Sequence, residues 1–398
     1  MKSSLTGRQR LLVRGIVVAC LSLAVFWYAQ NRVSVRRPVP RFSAPEALVP
    51  TPQPGLDPVE NIEQRPPFSI PAVPMAEVDT LRWRVGVGVT DPNPLRFNWG
   101  AVRPGWYLNW STNLEYEVRF AGLWTSVWMR EDDPRLGMQF VPMVRVINGQ
   151  NWPEARVLAK LAGTNPGLTW LIGNEPDVKW QDDCTPEEYV PAYYEAYHAI
   201  KRADPTAQIA IGGLSQITPL RLRYLDAIWQ RYEQSYGETM PVDVWNMHAF
   251  VLREEANNWG VEIPPGFPDV QQGELWEVTD HNNLPLIEGE VRRMRQWMAD
   301  HGQREKPLWI TEYGILMPSS LGFPPSVVNQ FIEDSFNLFN TLSDPNLGYS
   351  EDGQRLVQRW TWFSTNDRLY PTPNLFNGRG RANPALRTLM RYLEENSE

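Results

Sequence analysis

The sequence predicts an α/β fold, a (β/α)₈ barrel, that follows an N-terminal membrane segment and a proline-rich linker. The chain has 398 residues, of which 42% are hydrophobic, which is enough for one barrel of about 250 residues with extensions. From Leu81 onward, short apolar runs alternate with helical patterns. No glycine-rich phosphate loop follows the first of these runs, so a closed barrel is favoured over a doubly wound sheet.

Eight apolar runs are candidate strands, and several are apolar throughout, as strands buried on both faces are. We predict strands at 81–89, 106–110, 138–144, 168–172, 208–212, 242–247, 307–310 and 357–363. Residues 111–137 have no clear pattern. A capping box at Thr185–Glu188 predicts a helix that ends at Asp204. Two more helices are predicted from Ile287 to about Asp300 and from about Asn383 to Glu394.

Residues 1–29 are predicted to be a membrane segment. Basic residues up to Arg14 precede an uncharged apolar stretch, residues 15–29, which is the layout of a signal sequence. No small-x-small cleavage pattern stands at its end, and Trp27 suits a membrane interface. A signal anchor with the rest of the chain outside the cytoplasm is therefore the first interpretation. A cleaved signal peptide with secretion, and a lipoprotein modified at Cys20, are the alternatives.

Residues 30–78 are predicted to be a linker, and residues 79–398 the barrel domain. Proline is frequent in the linker and no apolar periodicity is present. Such a segment favours extended polyproline conformations and acts as a semi-rigid spacer. Its expected use is to hold the barrel domain clear of the membrane.

Composition excludes several classes of function. The net charge is −8 and no segment is strongly basic, which argues against nucleic acid as a partner. Cys184 stands alone in the barrel domain, so neither a disulfide nor a cysteine-based metal site is expected there. The chain has 18 tryptophans, which suit either a tryptophan-rich core or flat surfaces that stack on sugar rings.

Two glutamates each end an apolar run. Glu175 follows the run 168–174, and Glu312 follows the run 307–311. If both runs are barrel strands, both carboxylates lie at the C-terminal rim, where barrel active sites are built. Two carboxylates at one rim are the minimum apparatus for breaking a glycosidic bond. The sequence therefore predicts a glycosidase site.

The motifs Asn174-Glu175-Pro176 and Thr311-Glu312-Tyr313-Gly314, at the ends of the fourth and seventh predicted strands, resemble those of the clan-A retaining glycoside hydrolases. Four further segments resemble the family 128 β-1,3-glucanases, the alkali-sensitive-linkage-type proteins, with the family 39 glycosidases as second choice. These segments are Trp106–Trp110, Phe140–Met143, Val242–His248 and Trp360–Phe363.

The resemblance implies a retaining double displacement without cofactor or metal, with Glu175 as acid/base and Glu312 as nucleophile. It implies a β-linked glucan, with β-1,3 linkages first, as substrate. Six substrate-binding residues are expected around the two glutamates. They are Asn174 for the sugar 2-hydroxyl, His248 and Tyr313 to orient a carboxylate, Trp362 as the floor of the sugar subsite, and Asn109 and Arg145 at the rim.

Two features leave alternatives open. His248-Ala249-Phe250 lacks the tyrosine of the His-x-Tyr pattern that many clan members carry, so its hydroxyl must be replaced from elsewhere. The segment 252–285 is long for a loop and is expected to shape the cleft, for either endo or exo action. The rival functions are a catalytically silent carbohydrate-binding barrel tethered at the cell surface and an exo-acting β-glycosidase of the family 39 kind.

Overall fold

A computed structural model describes residues 80–90, 97–99, 103–112, 115–120, 123–128 and 138–396. The membrane segment expected at residues 1–29 and the linker expected at residues 30–78 lie outside the described residues. Within the described ranges, no helix combines the length and the apolar character that crossing a membrane requires.

The described strands and helices alternate along most of the chain. The strands are β1 (Val85–Gly88), β2 (Trp106–Leu108), β3 (Glu115–Phe120), β4 (Leu123–Trp128), β5 (Gln139–Phe140), β6 (Met143–Ile147), β7 (Gln150–Trp152), β8 (Thr169–Asn174), β9 (Gln208–Gly213), β10 (Trp245–His248), β11 (Leu308–Tyr313) and β12 (Arg359–Phe363). The helices are α1 (Leu81–Arg84), α2 (Ala155–Thr164), α3 (Pro186–Ala203), α4 (Pro219–Tyr236), α5 (Leu284–Asp300), α6 (Pro325–Thr341) and α7 (Pro384–Glu395).

Parallel pairing closes these strands into a barrel. Strands β10, β11, β12, β1, β2 and β5 are neighbours in that order, and β6, β8 and β9 continue the ring. Strands β5 and β6 are successive parts of one run, so they count as the third barrel strand. Parallel bridges from Ala210 to Val244 and from Leu214 to Met247 join β9 to the segment of β10. The predicted α/β barrel with a parallel sheet is therefore confirmed in the described part of the chain, where helices follow six of the eight barrel strands.

Two hairpins add to the barrel. Strands β3 and β4 pair antiparallel within the segment that the sequence pattern left unassigned. Strand β7 pairs antiparallel with β6 at the C-terminal rim. The second hairpin matters for the site, because it continues the third barrel strand past the rim.

The core has an inner and an outer layer. Inside the barrel, large side chains such as Trp106, Leu171 and Trp309 pack together, as layered side chains fill barrels of this size. The outer layer lies between strands and helices and includes Trp170, Trp360 and many more apolar residues. Successive strand residues alternate between the two layers because the side-chain period of a strand is two.

Most predicted boundaries agree with the structure to within a few residues. The Thr185 side chain forms the capping box with Glu188, and that helix ends at the predicted place. The first predicted strand is shorter than expected, since residues 81–84 form the helical turn α1. A short run in which apolar and basic residues alternate does not distinguish a strand from a helical turn. Here Arg84 is held by a buried ion pair with Asp352.

Candidate active site

Three titratable side chains meet at the C-terminal rim of the barrel. Glu175 directly follows β8, His248 ends β10 and Glu312 lies near the end of β11. Nδ1 of His248 lies 2.8 Å from Oε1 of Glu175, and one nitrogen or carboxylate oxygen from each residue lies within 4.8 Å of the others. Glu175 is 7% exposed, Glu312 8% and His248 0%. The structure thus brings together the two predicted glutamates and the predicted histidine.

An unusual backbone conformation aims Glu175. Its φ is 45°, and that of Gly173 is 99°, both in the left-handed region, which costs a residue other than glycine about 1 kcal/mol or more. The carboxylate of Asp182 stabilises this strand end by accepting from the backbone N–H groups of Asn174 at 2.7 Å and Val146 at 2.9 Å. Asp182 was not singled out in the sequence, because no motif connects it with the strand it supports.

A register shift aims Glu312. Trp309 lies inside the barrel, and Thr311 donates to the Asn246 side chain of the neighbouring strand. In a regular strand Glu312 would then point away from the interior, since neighbouring residues face opposite sides. The pairing between β11 and β12 shifts between Ile310 and Tyr313, and a shift of this kind re-aims side chains. The carboxylate therefore reaches the site.

Trp110 supplies a hydrogen bond that the sequence analysis did not assign. Its indole Nε1 donates to Oε2 of Glu312 at 2.8 Å. The ring passes so close to β1 that a Cβ on Gly88 would lie 2.7 Å from it. The sequence contains a signal for this role, because Trp110 ends the Trp106–Trp110 segment and directly follows the predicted site residue Asn109. This N–H is a donor at the site, where Phe250 cannot provide a hydroxyl.

The three groups perturb one another electrostatically. Burial raises the pKa of Glu312 to about 7, with the charge of Glu175 adding to the effect, while His248 and the N–H of Trp110 act in the opposite direction. Burial alone would lower the pKa of His248, but the carboxylates of Glu312 and Glu175 raise it above its ordinary value. The carboxyl group of Glu312 is therefore the one whose pKa lies near neutral pH, and its titration is coupled to its charged neighbours.

Arg145 and Asn174 share one hydrogen-bond partner at the rim. Arg145 donates from Nε to Asp182 at 2.6 Å and from its terminal nitrogen to Oε1 of Gln181 at 3.3 Å. Asn174 donates to the same Gln181 oxygen at 3.3 Å. Among the described residues, Asn174 Oδ1 and His248 Nε2 are buried without a hydrogen-bond partner. Both atoms therefore have unused hydrogen-bonding capacity next to the two glutamates.

Tyr313 does not lie where the sequence placed it. Its side chain is fully buried in the outer layer, with its hydroxyl 3.2 Å from the hydroxyl of Ser335 in α6. The orienting role expected for Tyr313 is not supported, because its side chain points to the helices and away from the carboxylates.

Trp362 requires the same correction. Its ring has no exposed surface, and its N–H donates to the carbonyl of Pro373 at 2.8 Å. A ring without exposed surface cannot form the floor of a sugar subsite. Phe363, one position later and therefore on the opposite side of the strand, packs at the rim with its ring centre 5.7 Å from that of Trp110. Asn109 is half-buried near the rim and accepts from the Ser111 hydroxyl.

In the described part of the chain, Glu175, His248 and Glu312 form a group whose oxygen and nitrogen atoms could bind a metal ion. Two carboxylates and an imidazole suit several divalent cations. However, Nδ1 of His248 is already hydrogen-bonded to Glu175, and Oε2 of Glu312 to Trp110. Hydrogen bonds within the protein thus already use two of the candidate donor atoms. The expectation that no metal or cofactor is used stays a prediction.

A buried ion cluster connects the site to the long loop 252–283. The guanidinium of Arg221 donates to Asp177 at 3.0 Å and to Glu254 at 2.8 Å, and the side chains of all three are fully buried. Asp177 lies two residues after Glu175. Glu254 belongs to the loop, and its carboxylate also accepts from the backbone N–H of Glu274 later in the same loop. Arg221 therefore links the loop to the segment that carries the first glutamate.

The loop contributes to an apolar wall at the rim. Val261 and Leu252 pack in one cluster with Val178, Phe250 and Phe363, against which Trp110 and Trp259 are also packed. The loop is thereby packed near Trp110, whose N–H donates to Glu312, and its role in shaping a cleft stays a prediction.

No protein-family model matches this sequence, and no curated protein sequence does. Solved structures are similar at low identity. A GH128 subgroup II endo-β-1,3-glucanase from Pseudomonas viridiflava has a TM-score of 0.52 and 16% identity, covering 77% of this chain and 96% of that chain. A GH128 subgroup III curdlan-specific exo-β-1,3-glucanase from Blastomyces gilchristii has a TM-score of 0.48 and 15% identity, covering 78% and 99%.

A third similar structure is a GH128 subgroup VII oligosaccharide-binding protein from Trichoderma gamsii, with a TM-score of 0.45 and 13% identity, covering 78% of this chain and 94% of that chain. Identities this low show a shared fold alone. The barrel described above is thus similar in fold to the family 128 protein from Pseudomonas viridiflava, as the sequence resemblance implied.

Proposed function

We propose that this chain is a retaining glycoside hydrolase that cleaves a β-linked glucan, with β-1,3 linkages as first choice. The observation that carries the proposal is the pair Glu175 and Glu312, whose nearest carboxylate oxygens lie within 4.8 Å of each other. Retaining enzymes hold their carboxyl groups about 5–5.5 Å apart, whereas inverting enzymes need about 6.5–9.5 Å to admit a water. The short spacing therefore favours retention.

In the first step, the ionised carboxylate of Glu312 attacks the anomeric carbon. An ester bond forms between them, the bond from that carbon to the leaving oxygen breaks, and Glu175 gives its proton to that oxygen. The N–H of Trp110 on Oε2 of Glu312 stabilises the ionised carboxylate and leaves Oε1 for the attack.

In the second step, Glu175 acts as a base. It takes a proton from a water, the water oxygen attacks the anomeric carbon, and the ester bond to Glu312 breaks. The hydrogen bond between His248 and Oε1 of Glu175 holds that carboxyl group in place through both steps. The unpartnered Oδ1 of Asn174 is the proposed acceptor for the sugar 2-hydroxyl, a contact that strengthens in the transition state.

The choice of glucan rests on the shared fold with the Pseudomonas viridiflava protein, which is an endo-β-1,3-glucanase. Endo and exo action are both compatible with a rim that carries a long loop. We also propose that the barrel works outside the cytoplasm, tethered through residues 1–29 and spaced by residues 30–78. Membrane fractionation of the full chain, compared with a chain that begins at residue 30, tests this location.

The test of activity is reducing-sugar release by the full chain on β-glucans, xylans and mannans. Glu312→Ala is expected to abolish release, and added azide is expected to restore cleavage by forming an inverted glycosyl azide, which has no reducing end and is therefore detected by mass spectrometry. Glu175→Ala is expected to slow substrates with poor leaving groups most, because these need protonation. Glu233→Ala, an exposed glutamate on α4, is the control.

Three other results would redirect the proposal. Wild-type activity in both active-site variants would refute the assignment of the two glutamates. Sugar binding by the wild-type chain without any release would favour the silent carbohydrate-binding barrel. Release of single sugars from chain ends alone would favour exo action of the family 39 kind.

A further inference from the structure

We propose that Trp152 is a stacking platform for a sugar ring some distance from the cleaved bond, so that the cleft extends over the β6–β7 hairpin. The ligand class is a β-linked gluco-oligosaccharide, and the inference rests on the proposed function. No sequence motif pointed to Trp152. Three features of the structure support this role: the pairing of the hairpin, the hydrogen bonds that hold it and the exposure of the ring.

The pairing of the hairpin determines which way its side chains face. Arg145 is opposite Trp152, and Val146 is opposite Asn151. Partners across an antiparallel pair share one face, and neighbours along a strand lie on opposite faces. Val146 is buried in the outer core layer, and Asn151 donates to the carbonyl of Ala192 in α3. That face looks to the helices, so Arg145 and Trp152 look the other way.

The face that Trp152 shares with Arg145 belongs to the candidate active site. Arg145 donates to Gln181, and Asn174 donates to the same oxygen. The positive charge of Arg145 also contributes to lowering the pKa of Glu312, against the larger effect of burial. A ligand that extends from the two glutamates along this face therefore passes Arg145 and meets the ring of Trp152.

Trp152 is 57% exposed. Such exposure leaves a large apolar surface in water, because an indole is among the largest apolar groups that proteins bury. An indole face matches the apolar face of a pyranose ring in size and flatness, and its N–H remains free to bond a hydroxyl. An exposed ring on the site face therefore suits a sugar.

The hairpin that carries this ring is firmly held. The backbone N–H of Asn148 donates to the carbonyl of Asp182 at 2.8 Å, and that of Val146 to the carboxylate of Asp182 at 2.9 Å. The N–H of Gly149 donates to the sulfur of Cys184 at 3.3 Å. The platform is thus attached to the loop that follows Glu175, and a pre-positioned ring loses little entropy when a ligand binds.

The test measures binding without hydrolysis. The full chain carrying Glu312→Gln is titrated calorimetrically with gluco-oligosaccharides of three and six units, linked β-1,3, β-1,4 or β-1,6. Adding Trp152→Ala is expected to weaken binding of the six-unit ligand about tenfold and to leave the three-unit ligand unchanged. Trp152→Phe is expected to restore most of the affinity because it keeps a flat ring.

Gln150→Ala is the control. It changes an exposed polar residue two positions earlier on the same strand and is expected to leave both affinities unchanged. If it reproduces the loss, the ring is not the cause and the platform is refuted. Equal affinities with and without Trp152→Ala also refute the platform but leave the proposed function standing. No binding of any oligosaccharide by the Glu312→Gln chain refutes the proposed function and, with it, this inference.

Discussion

Replacing Glu312 by glutamine is expected to raise the free energy of unfolding, relative to the wild type, more above about pH 7 than in acid. Burial raises the pKa of Glu312 from the ordinary 4.5 to about 7. The folded protein therefore favours the neutral carboxyl group, and at higher pH it must carry a buried charge. Glutamine has nearly the shape of the neutral acid and carries no charge at any pH, so it avoids that cost.

The sign and size follow from proton linkage. A carboxyl group whose pKa is raised by folding contributes stability that is fully present below its unfolded pKa and is lost as the pH rises through the folded pKa. At about 1.4 kcal/mol per pH unit, the shift from 4.5 to about 7 corresponds to about 3 kcal/mol. The opposing effect of His248 is already contained in the pKa of about 7.

The assay is urea unfolding followed by tryptophan fluorescence at pH 4.5, 6, 7 and 8.5. The free energy of unfolding of Glu312→Gln minus that of the wild type is expected to rise by up to about 3 kcal/mol across this range. Glu233→Gln, on the exposed side of α4, is the control. If the difference in free energy of unfolding between Glu312→Gln and the wild type is the same at pH 4.5 and pH 8.5, then the pKa of Glu312 is not raised by folding and the reasoning is refuted.

Three further predictions concern Trp110, the Arg221 cluster and Trp362. Trp110→Phe removes the N–H that donates to Glu312, a hydrogen bond to a charged group worth about 1.5–3 kcal/mol. The acid limb of the pH profile of kcat/KM is expected near pH 7 in the wild type and about one pH unit or more higher in the variant. An unchanged acid limb would contradict this prediction. Arg221→Met leaves two buried carboxylates without their cation and is expected to lower the free energy of unfolding by about 3–5 kcal/mol, whereas a loss below about 1 kcal/mol would show that water replaces the guanidinium. Trp362→Phe is expected to lower the melting temperature while leaving the KM for glucan unchanged, because the ring is fully buried. A raised KM with an unchanged melting temperature would instead support a role for Trp362 in substrate binding.

The positions of the two glutamates could be predicted because they depend on topology. Glu175 and Glu312 each end a buried apolar run, and the C-terminal ends of parallel strands in a barrel meet at one rim. His248 followed from the same argument at the end of β10. These predictions need the order of strands and helices but no knowledge of packing, and the order is encoded in local hydrophobic patterns.

The errors arose where one position along a strand decides which layer a side chain enters. Trp362 and Tyr313 were expected at the site, yet both face α6, while Phe363 is at the rim. Because the side-chain period of a strand is two, a shift of the strand register by one residue exchanges the side chains that face the core with those that face the site. The same difference of one position separates Asn109, which was predicted at the site, from Trp110, which contacts Glu312. Whether a strand carries a register shift depends on its neighbours in the sheet, which the local sequence does not contain.

The sequence by itself determined the barrel, the rim and the two carboxylates that reach it, because apolar periodicity and strand order are local properties of the chain. Only the tertiary structure decided which groups surround these carboxylates. The hydrogen bond from Trp110 to Glu312, the support of Asp182 under Asn174 and the Arg221 cluster each join segments far apart in sequence. The protonation of Glu312 was decided there too, because a pKa depends on burial and on neighbouring charges in three dimensions.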